Sequence, residues 1–179
     1  MRLGAGRMIL RTESRLSFAV IAALGTLLAQ TRPAAMNPFG TGKDIEGTWA
    51  AASRTAVSIT GNVAFTSNKL TILHKDFPLT LVREIDRQHL AEVGKIVDYL
   101  RPPSSARLYR TLISRRSILV NGNTICGPNA DAKWILAVAD KNELSLAFFS
   151  SDSEPKLDYG TVSTGHDLCG TYSYVMSEK

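Results

Sequence analysis

Few side chains in this sequence are placed to do chemistry, and the two cysteines come first among them. Cys126 and Cys169 are the only cysteines in the 179 residues, and each is followed by a glycine, Gly127 or Gly170, on or beside an extended run. A redox or nucleophilic pair calls for short spacing or surroundings that lower the thiol pKa, and neither is visible. A structural disulfide is therefore expected, worth about 4 kcal/mol of lost unfolded-state entropy in the chain-entropy model. The histidines His74, His89 and His166 are scattered rather than set at metal-ligand spacing. His166 and Asp167 follow Ser163, but a serine hydrolase also needs an oriented third group and an oxyanion pocket. A metal held by His166, Asp167 and Asp152 or Glu154 needs three ligands to converge across loops. No GxSxG, HExxH, CxxC, phosphate-binding loop or dinucleotide fingerprint occurs. The expectation is no catalytic residue, no metal site and no cofactor.

Arginine supplies the second candidate chemistry. Arg101, Arg107, Arg110, Arg115 and Arg116 fall within sixteen residues, interleaved with Tyr99 and Tyr109. On an extended run Arg107, Tyr109 and Thr111 share one face and Leu108, Arg110 and Leu112 the other, so these charges do not make a single stripe. Two readings stand. The arginines are solvated strand and loop positions, or Arg107, Arg110, Arg115 and Arg116 form a patch for anionic envelope material such as lipid head groups or acidic polysaccharide.

Short extended runs must position these groups. Residues 44–52 with Trp49, 55–60 with Val57 and Ile59 on one face, 62–65 with Val63 and Phe65 on one face, 69–73 and 77–85 read as strands, with Gly61 and Asn62 as a turn and Pro78 at a strand start. The stretch 82–100 is ambiguous. Its apolar stripe suits a helix over about 83–94, yet Gly94 falls mid-stripe and 95–99 also reads as a strand. Pro102 and Pro103 break the chain, after which 106–114 and 117–120 read as strands and Asn121–Gly122 as the strongest turn signal. Residues 133–139 and 143–149 form the clearest hairpin. Trp134, Leu136 and Val138 oppose Ile135, Ala137 and Ala139, and Leu144, Leu146 and Phe148 oppose Ala147 and Phe149. A hairpin apolar on both faces is central, with something packed on each side. Residues 150–156 read as a polar loop, 157–165 as irregular, and 169–175 as the closing strand. The fold class expected is mainly β: a small antiparallel β-barrel or β-sandwich with at most one or two short helices and one disulfide.

The first 35 residues read differently from the rest. A basic start, an apolar core over 16–28 and small residues after it give the order of a secretory signal peptide, too short to span a bilayer comfortably. Residues 1–35 are expected to be a removable leader with an undefined cleavage point, 36–43 a flexible lead-in, and 44–179 one β-rich domain. Five arginines against one glutamate in the leader carry +4 of the formal +5, which leaves about +1 on the remainder. That remainder has no concentrated basic footprint for nucleic acid. A periplasmic or secreted location follows, where a disulfide persists, with no stable transmembrane segment once the leader is gone.

The EGTWAA stretch around Gly47 and Trp49 resembles the GxW signature near the start of lipocalin-type barrels, where the tryptophan plugs the closed end. Small secreted metalloprotease inhibitors, similar barrels with one disulfide, share such a start, and the late segment resembles uncharacterised exported bacterial proteins. The resemblance implies a barrel-closing role for Gly47 and Trp49 and no particular target. The leading functional expectation is an exported, non-enzymatic envelope or secreted interaction protein, its partner an envelope component or a protein. One alternative is a binder of a small apolar ligand inside a lipocalin-like barrel, with Phe65, Phe148 and Phe149 lining the cavity. The other is an enzyme without a recognisable short motif.

Overall fold

The computed structural model describes residues 44–177, so the expected leader (1–35), the lead-in (36–43) and the last two residues lie outside the described residues. Among the described residues nine strands make one antiparallel sheet: β1 (Gly47–Ala51), β2 (Val63–Thr66), β3 (Lys69–Ile72), β4 (Lys75–Pro78), β5 (Thr80–Glu84), β6 (Ser105–Ile113), β7 (Ala132–Asp140), β8 (Glu143–Phe149) and β9 (Leu168–Met176). Their spatial order is β4-β3-β2-β1-β9-β8-β7-β6-β5. The sheet curls into a nearly closed barrel, and at the seam the Thr111 hydroxyl of β6 donates to the Pro78 carbonyl of β4 at 2.9 Å. The first and last strands are neighbours, with Trp49 opposite Met176 and the Ser177 amide bonded to the Thr48 carbonyl at 3.0 Å.

Two-residue alternation explains why the central hairpin is apolar on both faces. Ile135, Ala137, Ala139, Leu144, Leu146 and Phe148 point into the barrel beside Trp49, Phe65, Tyr172 and Tyr174. Trp134, Leu136, Val138, Ala147 and Phe149 point outward, where Leu90, Val93, Ile96 and Val97 cover them. The first three of those belong to helix α1 (Leu90–Ile96) and Val97 follows it; burying each such side chain contributes roughly 1.5–3 kcal/mol. A second short helix, α2 (Tyr159–Thr164), starts at Asp158, whose carboxylate accepts from the Thr161 amide at 2.7 Å. That bond holds the Asp158 carboxyl below its ordinary pKa.

Several expected elements are built differently. Residues 55–60 form a π-helical turn (Ala56–Thr60) rather than a strand. Its buried side chains are Ala56 and Thr60, four apart, whereas Val57 is exposed and Ile59 half-buried. Ser53 Oγ accepts from the Ala56 amide, and Thr60 Oγ1 donates back to the Ala56 carbonyl. The run 77–85 is two strands, because the chain bends at Leu79 across the barrel seam, where the Leu79 amide bonds to the Asn68 carbonyl at 2.8 Å. The helix expected over 83–94 begins later: 80–84 pairs with β6, and α1 starts only at Leu90. Gly94 sits inside it because Pro103 presses close; a Cβ there would lie 3.1 Å from the proline ring. Residues 117–120 are not a strand, and Asn121–Gly122, with φ of 55° and 79°, turn the chain within a short 3₁₀ segment instead of joining two strands. Residues 157–165, expected to be irregular, include α2.

Candidate functional site

The arginines of the 101–116 run do not share one surface. Arg107 projects from β6 toward the end of the barrel where β1, β6 and β8 begin, and only 5 % of it is exposed. It bonds Glu84 at 3.0 Å and Asp44 at 3.3 Å, and Ser105 Oγ donates to the other Asp44 oxygen. Burial works against the Arg107 charge, but the Glu84 hydrogen bond and the nearby Asp44 outweigh it, and its pKa is raised. Burial also raises Tyr109 beside it, against the pull of Arg107. Arg107 is therefore a plug of this barrel end and not part of a surface patch. Arg110 points to the outer face, its guanidinium 4.5 Å from the centre of the Trp134 ring and bonded to the Asp152 carbonyl at 3.3 Å.

Arg115 and Arg116 are brought together at the opposite end. They occupy the middle of a tight turn after β6, closed by the Ser117 amide on the Ser114 carbonyl at 2.8 Å. Asp131 fixes the Arg115 backbone by accepting from its amide at 2.8 Å, and the Arg115 guanidinium donates to the Asn129 carbonyl at 3.1 Å. Among the described residues the Arg116 guanidinium makes no hydrogen bond or ion pair; Arg116 lines a surface cleft of about 620 Å³ together with Arg115, Ile59, Ile118, Cys169 and Tyr172.

Sequence builds this end from three connections. The π-helical turn and the 118–125 segment are joined by Asn123, whose side-chain Nδ2 donates to the Ser58 carbonyl at 2.9 Å. The β3–β4 turn at Leu73–His74 lies alongside, and Lys75 Nζ donates to the Ile118 carbonyl at 2.7 Å. Beneath them, Tyr172 donates to the Ile125 carbonyl at 3.1 Å and Thr60 shares a 2.8 Å hydrogen bond with Tyr174. Burial pushes Tyr172 up to about 12 and raises Tyr174 further. The Cys126–Cys169 disulfide, with Cα atoms 4.6 Å apart, ties the 118–126 segment to β9.

The remaining candidates do not assemble. His74, His89 and His166 lie on separate segments, and among the described residues no group of three histidine, cysteine or acidic side chains is placed to hold a metal. Ser163 Oγ donates to the Gly160 carbonyl within α2, and Asp152 pairs with Lys133. Gly47, at φ 147°, opens β1. Trp49 is fully enclosed in the interior, its indole N–H donating to the Ile45 carbonyl at 3.0 Å. A second cleft, of about 660 Å³, lies on the outer face between Tyr99, Arg101, Glu143 and Val175. Burial pushes Tyr99 there up to about 12, with nearby Ser145 pulling it down, although its hydroxyl makes no hydrogen bond of normal geometry. Asp98, Arg101 and Glu143 give that cleft mixed charge, so it favours no ion class. Among the described residues no helix is long and apolar enough to cross a membrane. Sequence reading missed Val57, Leu73 and Ile118 as surface residues; the available signal was Leu73–His74 between two runs with neither Gly nor Asn to make the turn. No protein-family model matches the chain, and no curated protein or solved structure does either.

Proposed function

We propose that the chain is an exported, non-enzymatic interaction protein, periplasmic or secreted, that takes an anionic partner at the disulfide end of its barrel. The observation that carries the proposal is the Arg115–Arg116 turn: Arg115 is anchored, while Arg116 faces an open cleft with its charge uncommitted among the described residues. A guanidinium in that state suits carboxylate, phosphate or sulfate groups, which it binds through charge-assisted hydrogen bonds. Export is supported by the signal-like order of residues 1–35 and by a disulfide, which persists in oxidising compartments. The GxW likeness of Gly47 and Trp49 to lipocalin-type barrels stays within the proposal at the level of architecture.

A ligand held inside the barrel is the less favoured reading. A void large enough for it would leave its lining with accessible surface, and Trp49, Leu70, Ile72, Leu144, Leu146 and Phe148 have none. The test uses the exported protein with its disulfide intact on an immobilised acidic polymer. Retention is expected to fall between about 50 and about 500 mM salt, since such attraction is screened, and to fall at low salt in the Arg115→Ser/Arg116→Ser variant. Retention indifferent to both salt and variant, or no retention, would remove the proposal.

A further inference from the structure

We infer that the disulfide end of the barrel docks on an anionic lipid bilayer. This rests on the anionic-partner reading above and names the partner. Three connections at this end each present a large apolar side chain to solvent: Val57 is 56 % exposed, Leu73 42 % and Ile118 53 %. They form one surface, because Leu73 and Val120 both pack over Gly61, Asn121 and Asn123 both reach Ser58, and Lys75 reaches Ile118. Apolar groups gathered at one place, and rimmed by polar ones, mark an interaction surface rather than ordinary scatter.

Charge complementarity selects the partner. The connections 52–62, 73–74 and 114–131 carry Arg54, Arg115 and Arg116 against one acid, Asp131, and that acid accepts from the Arg115 amide. Asp167, two residues before Cys169, lies on the fourth connection at this end. The other acids of that connection are engaged away from the cleft: Asp152 with Lys133, Glu154 with Arg83, Asp158 at the start of α2. Exposed apolar side chains on connections that also carry cations suit the boundary between anionic head groups and acyl chains. An acidic polysaccharide would use the cations and leave Val57, Leu73 and Ile118 in water.

The Leu73–His74 turn adds a separate observation. Its residues have φ of 48° and 63° between the paired Ile72 and Lys75, the left-handed geometry for which hairpins ordinarily use Asn-Gly. A leucine held there and exposed is a local strain that points to use at the surface.

The test compares the exported protein on phosphatidylglycerol-containing vesicles, on phosphatidylcholine vesicles and on soluble dextran sulfate. Binding is expected on the anionic vesicles and not on the zwitterionic ones. The Val57→Ser/Leu73→Asn/Ile118→Ser variant should lose roughly tenfold in vesicle affinity, the scale of a lost apolar insertion, and keep its dextran sulfate binding. Arg115→Ser/Arg116→Ser should weaken both. Leu73→Asn alone places a turn-favouring residue in the left-handed position, so its weaker vesicle binding is not a folding defect. In Ile118→Trp, brominated lipid should quench the added indole. Vesicle binding unchanged in the triple variant, or an unquenched indole, overturns the inference. Binding to dextran sulfate but not to vesicles removes the lipid and leaves an anionic partner; binding to neither removes both.

Discussion

At one end of the barrel Arg107 is enclosed between Asp44 and Glu84 with Ser105 completing the cluster, while at the other a disulfide and a layer of Tyr172, Tyr174 and Thr60 support exposed Val57, Leu73 and Ile118. The first end spends its cation internally, so its charges neutralise one another and offer little to a partner. The second has its scaffold fixed by covalent and buried bonds, which frees Arg116 and three apolar side chains to face outward. The same residue type, nine positions apart on one stretch of chain, is structural in one place and available in the other. What separates them is the presence of carboxylates within reach.

Removing the disulfide should have the largest effect on this contrast. Cys126→Ser/Cys169→Ser is expected to lower stability by about 2–5 kcal/mol in urea titration, the usual range for a native bridge in a small domain. Hydrogen exchange should rise first in 118–126, the segment it ties to β9. Equal loss of protection at both ends would mean that the bridge does not separate them.

Arg107→Met comes next. It leaves Asp44 and Glu84 facing each other, and because both carboxylates are partly exposed the cost should be about 1–3 kcal/mol, below that of breaking a fully buried pair. Binding to anionic vesicles should not change. A variant as stable as the parent would show that the cluster is not a plug.

The alkaline effect comes last because it is absent at neutral pH. Folding raises Tyr172 to about 12 and Tyr174 above it, by burial, so the folded state favours their protonated forms. That stabilisation is complete below the ordinary tyrosine pKa of about 10 and is lost as pH rises toward 12. Tyrosinate absorbance from these two should therefore appear together with unfolding. Their titration near pH 10 in the folded protein would mean that the layer beneath the cleft is wet.

The β7–β8 hairpin was legible because alternation on both faces can only suit a strand covered twice, and α1 with the barrel interior supplies the two covers. The disulfide was legible because two cysteines leave one pairing. The π-helical turn was not: Val57 and Ile59 alternate like a strand, and only the burial of Ala56 and Thr60 reveals the other period. The fate of Arg107 was half legible. Its sharing a face with Tyr109 follows from strand geometry, but its partners lie 63 and 23 residues away, and local pattern carries no information about them. The cleft was illegible for the same reason, since Ile59, Arg116 and Cys169 meet only when the barrel closes.

The adjacency of β1 and β9 has a kinetic consequence. Strands β1 to β4 are consecutive in the chain and can pair with one another early, whereas the Trp49–Met176 contact must wait for nearly the whole domain. Non-local closure of this kind is slow, because loop entropy is lost before the contact rewards it. At synthesis rates of about 5–20 residues per second the wait is on the order of ten seconds. During it the free edge of β1 presents unpaired backbone beside Trp49, and an edge of that kind is a template for another chain. Aggregation in this protein should therefore begin from chains that carry β1 to β4 and lack β9.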